Sequence, residues 1–191
     1  MKEDLKKIGF DPEKLTVWTR GANHGAFKNP RRINLEYKRP IWLYVGRVSI
    51  EKNIRAFLNL DLEGTKIVVG KGPDLKKLKQ EFPNVIFKGE KTNGELASYF
   101  ASADVFVMPS LTDTFGIVII EGLQCGTPVA AYPVTGPKDI LEGTNGGVLN
   151  KDLKVAALEA LKLNRDDCKE IAKKYTWENC AKIFLANTAP N

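Results

Sequence analysis

The sequence predicts a three-layer α/β/α sandwich around a mainly parallel sheet, and three observations predict it. Short uninterrupted apolar runs, rich in β-branched and aromatic residues, recur between residues 41 and 132. A run of this kind suits a strand buried on both faces. Each run is followed by a segment with helical character, so the chain reads as successive βαβ units, which wind right-handed and place helices on both faces of a sheet. Finally, the unusual loops fall after strands, which gathers them at the carboxyl edge of the sheet, where such folds bind ligands.

The elements follow in order. Leu15-Thr16-Val17-Trp18-Thr19 reads as an extra strand leading into Arg20-Gly21-Ala22-Asn23, and the basic, proline-bearing stretch 28–40 reads as a loop. Ile41 to Gly46 is a buried strand and Asn53 to Leu60 its helix; Thr65 to Gly70 is a second strand, followed by a helix from Asp74 to Phe82. Val85 to Gly89 and Gly94 to Ser102 form the third pair, and Val105 to Pro109 and Gly116 to Gln124 the fourth. Pro128 to Tyr132 is the fifth strand, and Pro133 to Pro137 reads as a Gly-Pro turn. Helices are expected at Leu153 to Leu163, at Asp166 to Tyr175, and after Thr176, whose hydroxyl suits an N-cap. No internal repeat or low-complexity linker interrupts the chain, so residues 1–191 are expected to form a single domain.

Composition narrows the function classes. Apolar residues make up 43% and charged residues 27% of the 191, ordinary values for a globular protein. No apolar run reaches a membrane span, and the charged start Met1-Lys2-Glu3-Asp4-Leu5 lacks a signal region. The expected location is therefore the cytoplasm, including the inner face of a membrane. Net charge is +6, with ten Lys or Arg against five Asp or Glu in residues 1–40. No aromatic-basic interleaving or nucleic-acid motif accompanies that excess, so nucleic acid is not an expected partner. Cys125, Cys168 and Cys180 have neither zinc spacing nor a disulfide framework and read as buried free thiols. One histidine, His24, excludes a histidine metal cluster, and Asp61-Leu62-Glu63 before Gly64 reads as a solvated turn, so no metal is expected.

Residues 113 to 137 are the most informative. A loop holding Asp113, Thr114 and Phe115 ends at Gly116 and opens a helix that carries Glu121, eight residues after Asp113. Free N–H groups and partial positive charge at a helix N-terminus suit a phosphate, and flanking carboxylates can accept bonds from sugar hydroxyls. After the first strand, Gly46-Arg47 and Glu51-Lys52-Asn53 place two cations across one loop. Both cations can reach a diphosphate, Arg47 as a fork and Lys52 as a point charge. Read alone they are two surface cations, paired with Glu51; beside the Asp113–Glu121 element, phosphate binding is the better reading. Gly70-Lys71-Gly72-Pro73 is a tight turn, not a full dinucleotide fingerprint. Asp104 reads as a brace at a strand start.

Together these stretches resemble the donor site of retaining glycosyltransferases of the GT-B fold, family 4. The family's Glu, seven residues, Glu spacing is kept, although its first acid is Asp113 here, and the Cys125-Gly126-Thr127-Pro128-Val129 turn follows. Gly46-Arg47, Glu51-Lys52-Asn53, the Gly70-Lys71-Gly72-Pro73 turn, Gly89-Glu90-Lys91, Ala103 to Ser110 and Tyr175 to Glu178 also match, from about Val17 to Leu185. Ala22-Asn23 departs from the family's Val-Asp. The resemblance implies the Rossmann-like C-terminal half of a GT-B enzyme, its N-terminal acceptor domain absent. It implies a UDP-sugar or GDP-sugar donor and no metal. Glu121 would hold the ribose hydroxyls and Asp113 the donor sugar. Gly46, Arg47 and Lys52 would take the diphosphate, and Gly70 and Gly72 would wall the cleft. Gly89, Glu90 and Lys91 would meet the nucleobase, and Thr114, Phe115 and Gly116 would offer backbone N–H groups. The acceptor would be a sugar or lipid hydroxyl held by the other domain, with peripheral membrane association of the full enzyme. A non-catalytic nucleotide-sugar-binding module and an epimerase-like domain stay open as alternatives. Separate roles for the acids also imply that Asp113 can be changed without touching free-nucleotide binding.

Overall fold

The computed structural model describes residues 2–16, 18–22, 24–27 and 29–188. Six parallel strands form one sheet: β1 (Ile41–Val45), β2 (Thr65–Val69), β3 (Ile86–Phe87), β4 (Val105–Met108), β5 (Val129–Ala131) and β6 (Gly147–Leu149). Their order is β3-β2-β1-β4-β5-β6, so the chain leaves β1 in one direction and returns to β4 on its other side. The helices are α1 (Lys2–Lys7), α2 (His24–Phe27), α3 (Ile54–Leu58), α4 (Leu75–Glu81), α5 (Asn93–Ser102), α6 (Ile117–Gln124), α7 (Thr135–Leu141), α8 (Leu153–Ala160), α9 (Arg165–Ala172) and α10 (Trp177–Thr188).

Strand alternation divides the core into two layers. Ile41, Leu43, Ile67, Val69, Phe106 and Met108 point to one face and pack against Phe100 of α5, Ile119, Ile120 and Leu123 of α6, and Cys168 of α9. Trp42, Tyr44, Val68, Val105 and Val107 point to the other, against Ile54 and Phe57 of α3, Leu78 of α4 and Ala156 of α8. Successive side chains along a strand face opposite ways, so an unbroken apolar run serves both layers. The three-layer parallel architecture expected from sequence is the one observed.

The sequence reading needs three corrections. Leu15, Thr16, Trp18 and Thr19 form no strand, and Val17 lies outside the described residues, as do Asn23 and Lys28. The segment instead runs along α10: Trp18 Nε1 donates to Cys180 O at 3.1 Å, its ring lies 5.3 Å from Phe184, and Ala22 N donates to Tyr175 O at 2.9 Å. The expected turn at Pro133 to Pro137 in fact begins α7, with Pro137 in its first turn, where a missing N–H costs no intrahelical bond. The short edge strand β6, which pairs Val129 with Gly147 and Ala131 with Leu149, was not anticipated. Two local expectations hold. Asn179 N donates to the Thr176 hydroxyl at 3.0 Å, capping α10, and the three cysteines are free and buried.

Asp104 braces the start of the sheet. Its carboxylate accepts from Ile41 N at 2.6 Å and from Arg39 at 2.7 Å. Asp61, in the expected turn, pairs with Lys154 at 3.1 Å.

Candidate functional site

The order 3-2-1-4-5-6 reverses between β1 and β4, and a doubly wound sheet opens its ligand crevice there, beyond the carboxyl ends of the strands. The loop after β1 carries Gly46, Arg47 and Lys52; the loop after β4 carries Ser110 to Gly116. Gly46, Arg47, Gly70, Gly72, Glu90 and Lys91 line one cleft of about 670 Å³, with Val45, Val69, Lys71 and Pro73. A smaller cavity of about 90 Å³ shares Val45 and Gly46 with it and adds Tyr44, Lys52, Ser110, Asp113 and Val118. Asp113 and Thr114 also border an apolar hollow of about 460 Å³ with Leu5, Ile8 and Leu111. Residues far apart in sequence are thus brought to one edge.

Backbone packing builds the wall. A Cβ on Gly70 would lie 1.9 Å from Gly46 O, so only glycine lets the loops after β1 and β2 meet. Gly89 lines none of these cavities; its carbonyl accepts from Gly70 N at 2.8 Å and so supports the wall from behind. On the far side Gly136 N donates to Asp113 O at 3.0 Å, and a Cβ at Gly136 would press on Asp113 O at 2.9 Å. This contact holds the acidic loop against α7.

Lys52 ends a 3-10 turn, Ile50–Lys52, and the next residue, Asn53, takes a left-handed conformation at φ 50°. The Asn53 amide donates to Pro109 O at 3.0 Å, tying this turn to the end of β4. Lys52 Nζ consequently lies 2.9 Å from Asp113 Oδ2, with the side chains 35% and 17% exposed. Every cation bordering the cleft has a carboxylate partner: Arg47 with Glu51 at 3.4 Å, Lys71 with Glu90 at 2.5 Å, and Lys91 with Glu95 at 3.1 Å. In each of those three pairs the carboxylate is exposed, so they contribute little; in the Lys52–Asp113 pair both side chains are partly buried. Of the two cations read as surface partners of Glu51, Arg47 does pair with it, whereas Lys52 pairs with Asp113. Asp113, expected to act apart from the cations of this loop, is bonded to one of them.

Glu121 lies on α6 and borders none of these three cavities. It occupies the same face as Ile117, one turn earlier, and Val118, which lines the small cavity. Burial raises its carboxyl to about 7, far above its ordinary 4.5. No described residue hydrogen-bonds its side chain, so the folded protein holds a carboxyl that would gain from a hydroxyl donor. Phe115 and Gly116 also border none of these cavities. The Phe115 ring turns to Tyr175, 6.4 Å away, and Gly116 is the residue before α6, whose first turn has no side-chain cap. Uncapped N–H groups there remain available to an anion.

Sequence reading passed over three contributors. Ser110 borders the small cavity, and its hydroxyl is buried with no hydrogen-bond partner among the described residues. Tyr44 O–H donates to Arg47 O at 2.7 Å, fixing the backbone of the cationic loop, and burial raises its phenol, helped by Glu51 and Asp113. Lys71 lies in the quoted glycine turn but was not singled out. Ser110 could have been found from its position immediately after the β4 run. Among the described residues no three His, Cys, Asp or Glu side chains gather where a metal ion could sit.

These features define a doubly wound α/β domain with paired cations and acids across its switch point. Residues 26–174 match the family described as Glycosyl transferases group 1, and the chain belongs to that family. It is 33% identical over 192 residues to a sulfoquinovosyl transferase of Arabidopsis thaliana, a match covering 85% of this chain and 37% of that protein. It is also 33% identical over 140 residues to a GDP-mannose-dependent alpha-mannosyltransferase of Mycobacterium tuberculosis, covering 69% of this chain and 37% of the relative. The chain thus spans well under half the length of these relatives. Among solved structures it is similar to HepE of Anabaena, crystallised with UDP and glucose, at TM-score 0.70 and 19% identity, over 98% of this chain and 60% of that one. The fold is that of GT-B glycosyltransferases.

Proposed function

We propose that this chain is the C-terminal, donor-binding domain of a retaining family 4 glycosyltransferase that transfers a hexosyl group from a UDP-sugar or GDP-sugar to an acceptor hydroxyl. The carrying observation is the convergence of Arg47, Lys52, Asp113 and the start of α6 at the β1/β4 switch point. Relatives and neighbours support the reading by their own ligands: a mannosyltransferase dependent on GDP-mannose and a structure holding UDP and glucose.

In this reading Arg47, Lys52 and the N–H groups of residues 114–116 take the diphosphate. Charge develops on that leaving group as the glycosyl bond breaks, and fixed cations and dipoles stabilise it. Such a set neutralises the diphosphate without a metal. Glu121 accepts from the ribose hydroxyls and Asp113 from the hexose. The Gly89–Lys91 loop lies beside the nucleobase. The acceptor, a sugar or lipid, is held by an N-terminal domain, with the whole enzyme working from the cytoplasm at a membrane surface. No helix is long and apolar enough to cross a membrane among the described residues.

Isothermal titration with UDP and GDP tests the reading. Binding of at least one in the millimolar range or tighter is expected; silence with both at several millimolar would remove the donor-site assignment. A donor carrying a labelled hexose, incubated with the full enzyme and its acceptor, then separates transfer from binding alone.

A further inference from the structure

Resting on that donor-site reading, we infer that Asp113 is a placeholder for the donor diphosphate: it holds Lys52 before the donor binds and releases it only when phosphate arrives. The carboxylate freed by that exchange is then the one that receives the donor sugar, so phosphate and sugar bind as coupled events.

Three observations carry this. Asp113 Oδ2 stands 2.9 Å from Lys52 Nζ, and Lys52 is the one described side chain that hydrogen-bonds the Asp113 carboxylate. The acid is only 17% exposed. A phosphate bonded to the same ammonium would bring two like charges to within a few ångström of each other in a partly desolvated site, which is strongly unfavourable. One anion must give way, and the diphosphate, with more charge and more acceptor oxygens, takes the ammonium. Second, the pair lines a cavity of about 90 Å³ that Ser110 also lines, and the Ser110 hydroxyl is buried with no partner among the described residues. Buried hydroxyls are ordinarily satisfied, so the paired state leaves an unmet hydroxyl on a residue beside the pair. Third, both partners are anchored by contacts that do not depend on the pair. The Asn53 side-chain amide donates to Pro109 O next to Lys52, and Gly136 N donates to Asp113 O. The exchange therefore needs only side-chain rotation, with both loops staying in place.

Once Lys52 turns to phosphate, Asp113 is a partly buried carboxylate without a cation. That state is costly unless a hydroxyl donates to it. The sugar hydroxyl of the donor meets this need, and the coupling between the two halves of the ligand is reciprocal. A shorter Asp at this position suits the role, since its carboxylate stays within reach of Lys52 across the loop.

UDP and GDP are titrated calorimetrically into the parent chain, Asp113→Asn and the control Glu51→Gln, each checked for folding by circular dichroism. If Asp113 competes for Lys52, Asp113→Asn binds the tighter of the two nucleotides three- to tenfold more strongly than the parent. Glu51→Gln, which removes an equal charge from an exposed pair beside the same loop, changes affinity less than twofold. A folded Asp113→Asn with unchanged or weaker binding overturns the inference and leaves the donor site standing. Equal tightening by both variants also overturns it, because a general field would then explain the gain. A parent that binds neither nucleotide overturns the donor-site reading and the inference with it. A crystal structure of the parent with UDP or GDP decides the matter without any substitution. Lys52 Nζ is expected on a phosphate oxygen and beyond about 4 Å from Asp113, outside ion-pair range; an intact Lys52–Asp113 bond in the complex overturns the exchange.

Discussion

The two edges of the sheet use the same kinds of residue differently. At the edge where the strands begin, Asp104 accepts from Ile41 N and from Arg39, and Arg39 also donates to Ser102 O. Arg165 donates to Ala101 O and Ala103 O, and Arg32 to Ala101 O as well. Three guanidinium groups thus close the carbonyl end of α5, where a cation is favoured. At the edge where the strands end, Lys52 and Asp113 hold each other by a single bond, the Ser110 hydroxyl lacks a partner among the described residues, and burial pushes Glu121 up to about 7. The first edge is satisfied several times over by the fold itself; the second is satisfied once, by groups that an anionic sugar nucleotide could satisfy better. Polar groups fixed by backbone carbonyls hold the fold, whereas those held by a lone exchangeable partner are ready for a ligand.

The largest expected effect lies at the satisfied edge. Asp104→Ala removes two charge-assisted bonds and leaves Ile41 N unpaired, and should lower unfolding free energy by about 2–4 kcal/mol. Urea denaturation measures it, and nucleotide affinity of the folded fraction should stay unchanged. Loss of binding there would mean that the two edges are not independent. Lys52→Ala should reverse the pattern. Nucleoside diphosphate binding weakens by about 1.5–3 kcal/mol, the range for a hydrogen bond to a charged group, while stability falls by about 1 kcal/mol or less because the pair is partly solvated. A larger stability loss than binding loss would make Lys52 a brace like Arg39.

Glu121 sharpens the comparison through pH. Its folded carboxyl titrates near 7 against an ordinary 4.5, so the native state binds its proton more tightly than the unfolded chain does. That contribution to stability is fully present below the ordinary value and is lost as pH rises through about 7. Glu121→Gln escapes the loss. Its melting temperature should exceed the parent's by about 4–8 °C at pH 8, the shift that roughly 2 kcal/mol gives a domain of this size once the proton-binding difference is reduced for partial exposure, and match it at pH 4.5. An equal shift at both pH values would contradict the burial argument. The smallest effect concerns ligand choice. The parent should favour UDP or GDP over the 2′-deoxy form, since a site built to bond a hydroxyl rejects the analogue without it, and Glu121→Gln should narrow that preference.

Strands β1 to β5 were legible because each lies in a continuous apolar run of the sequence, although β3 at the sheet edge is only partly buried. β6 was not, since Gly147-Val148-Leu149 is a partly exposed segment opening on glycine and owes its state to pairing with β5. α7 was hidden because Thr135-Gly136-Pro137 reads as turn chemistry, while the fold uses the proline where a helix needs no N–H. Trp18 looked like a strand residue because an aromatic in a β-rich run fits a sheet; packing on Phe184 prevailed. At the candidate site, spacing and residue type singled out Arg47, Lys52, Asp113 and Glu121, of which the first three border the cavities of the carboxyl edge and Glu121 does not. The bond between Lys52 and Asp113 was not legible: it spans sixty-one residues and exists only because β4 returns beside β1. Ser110 was missed for a related reason, as an unsatisfied hydroxyl is a property of the packed interior and not of the sequence.

Amide chemical-shift mapping with UDP or GDP most directly tests the claim that the carboxyl edge alone is prepared for ligand. Shifts are expected at residues 46–52, 70–72, 89–91 and 110–121, with Ala101 to Asp104 and Arg165 unmoved. Shifts centred on Ala101 to Asp104 and Arg165, or none at saturating nucleotide, would contradict it.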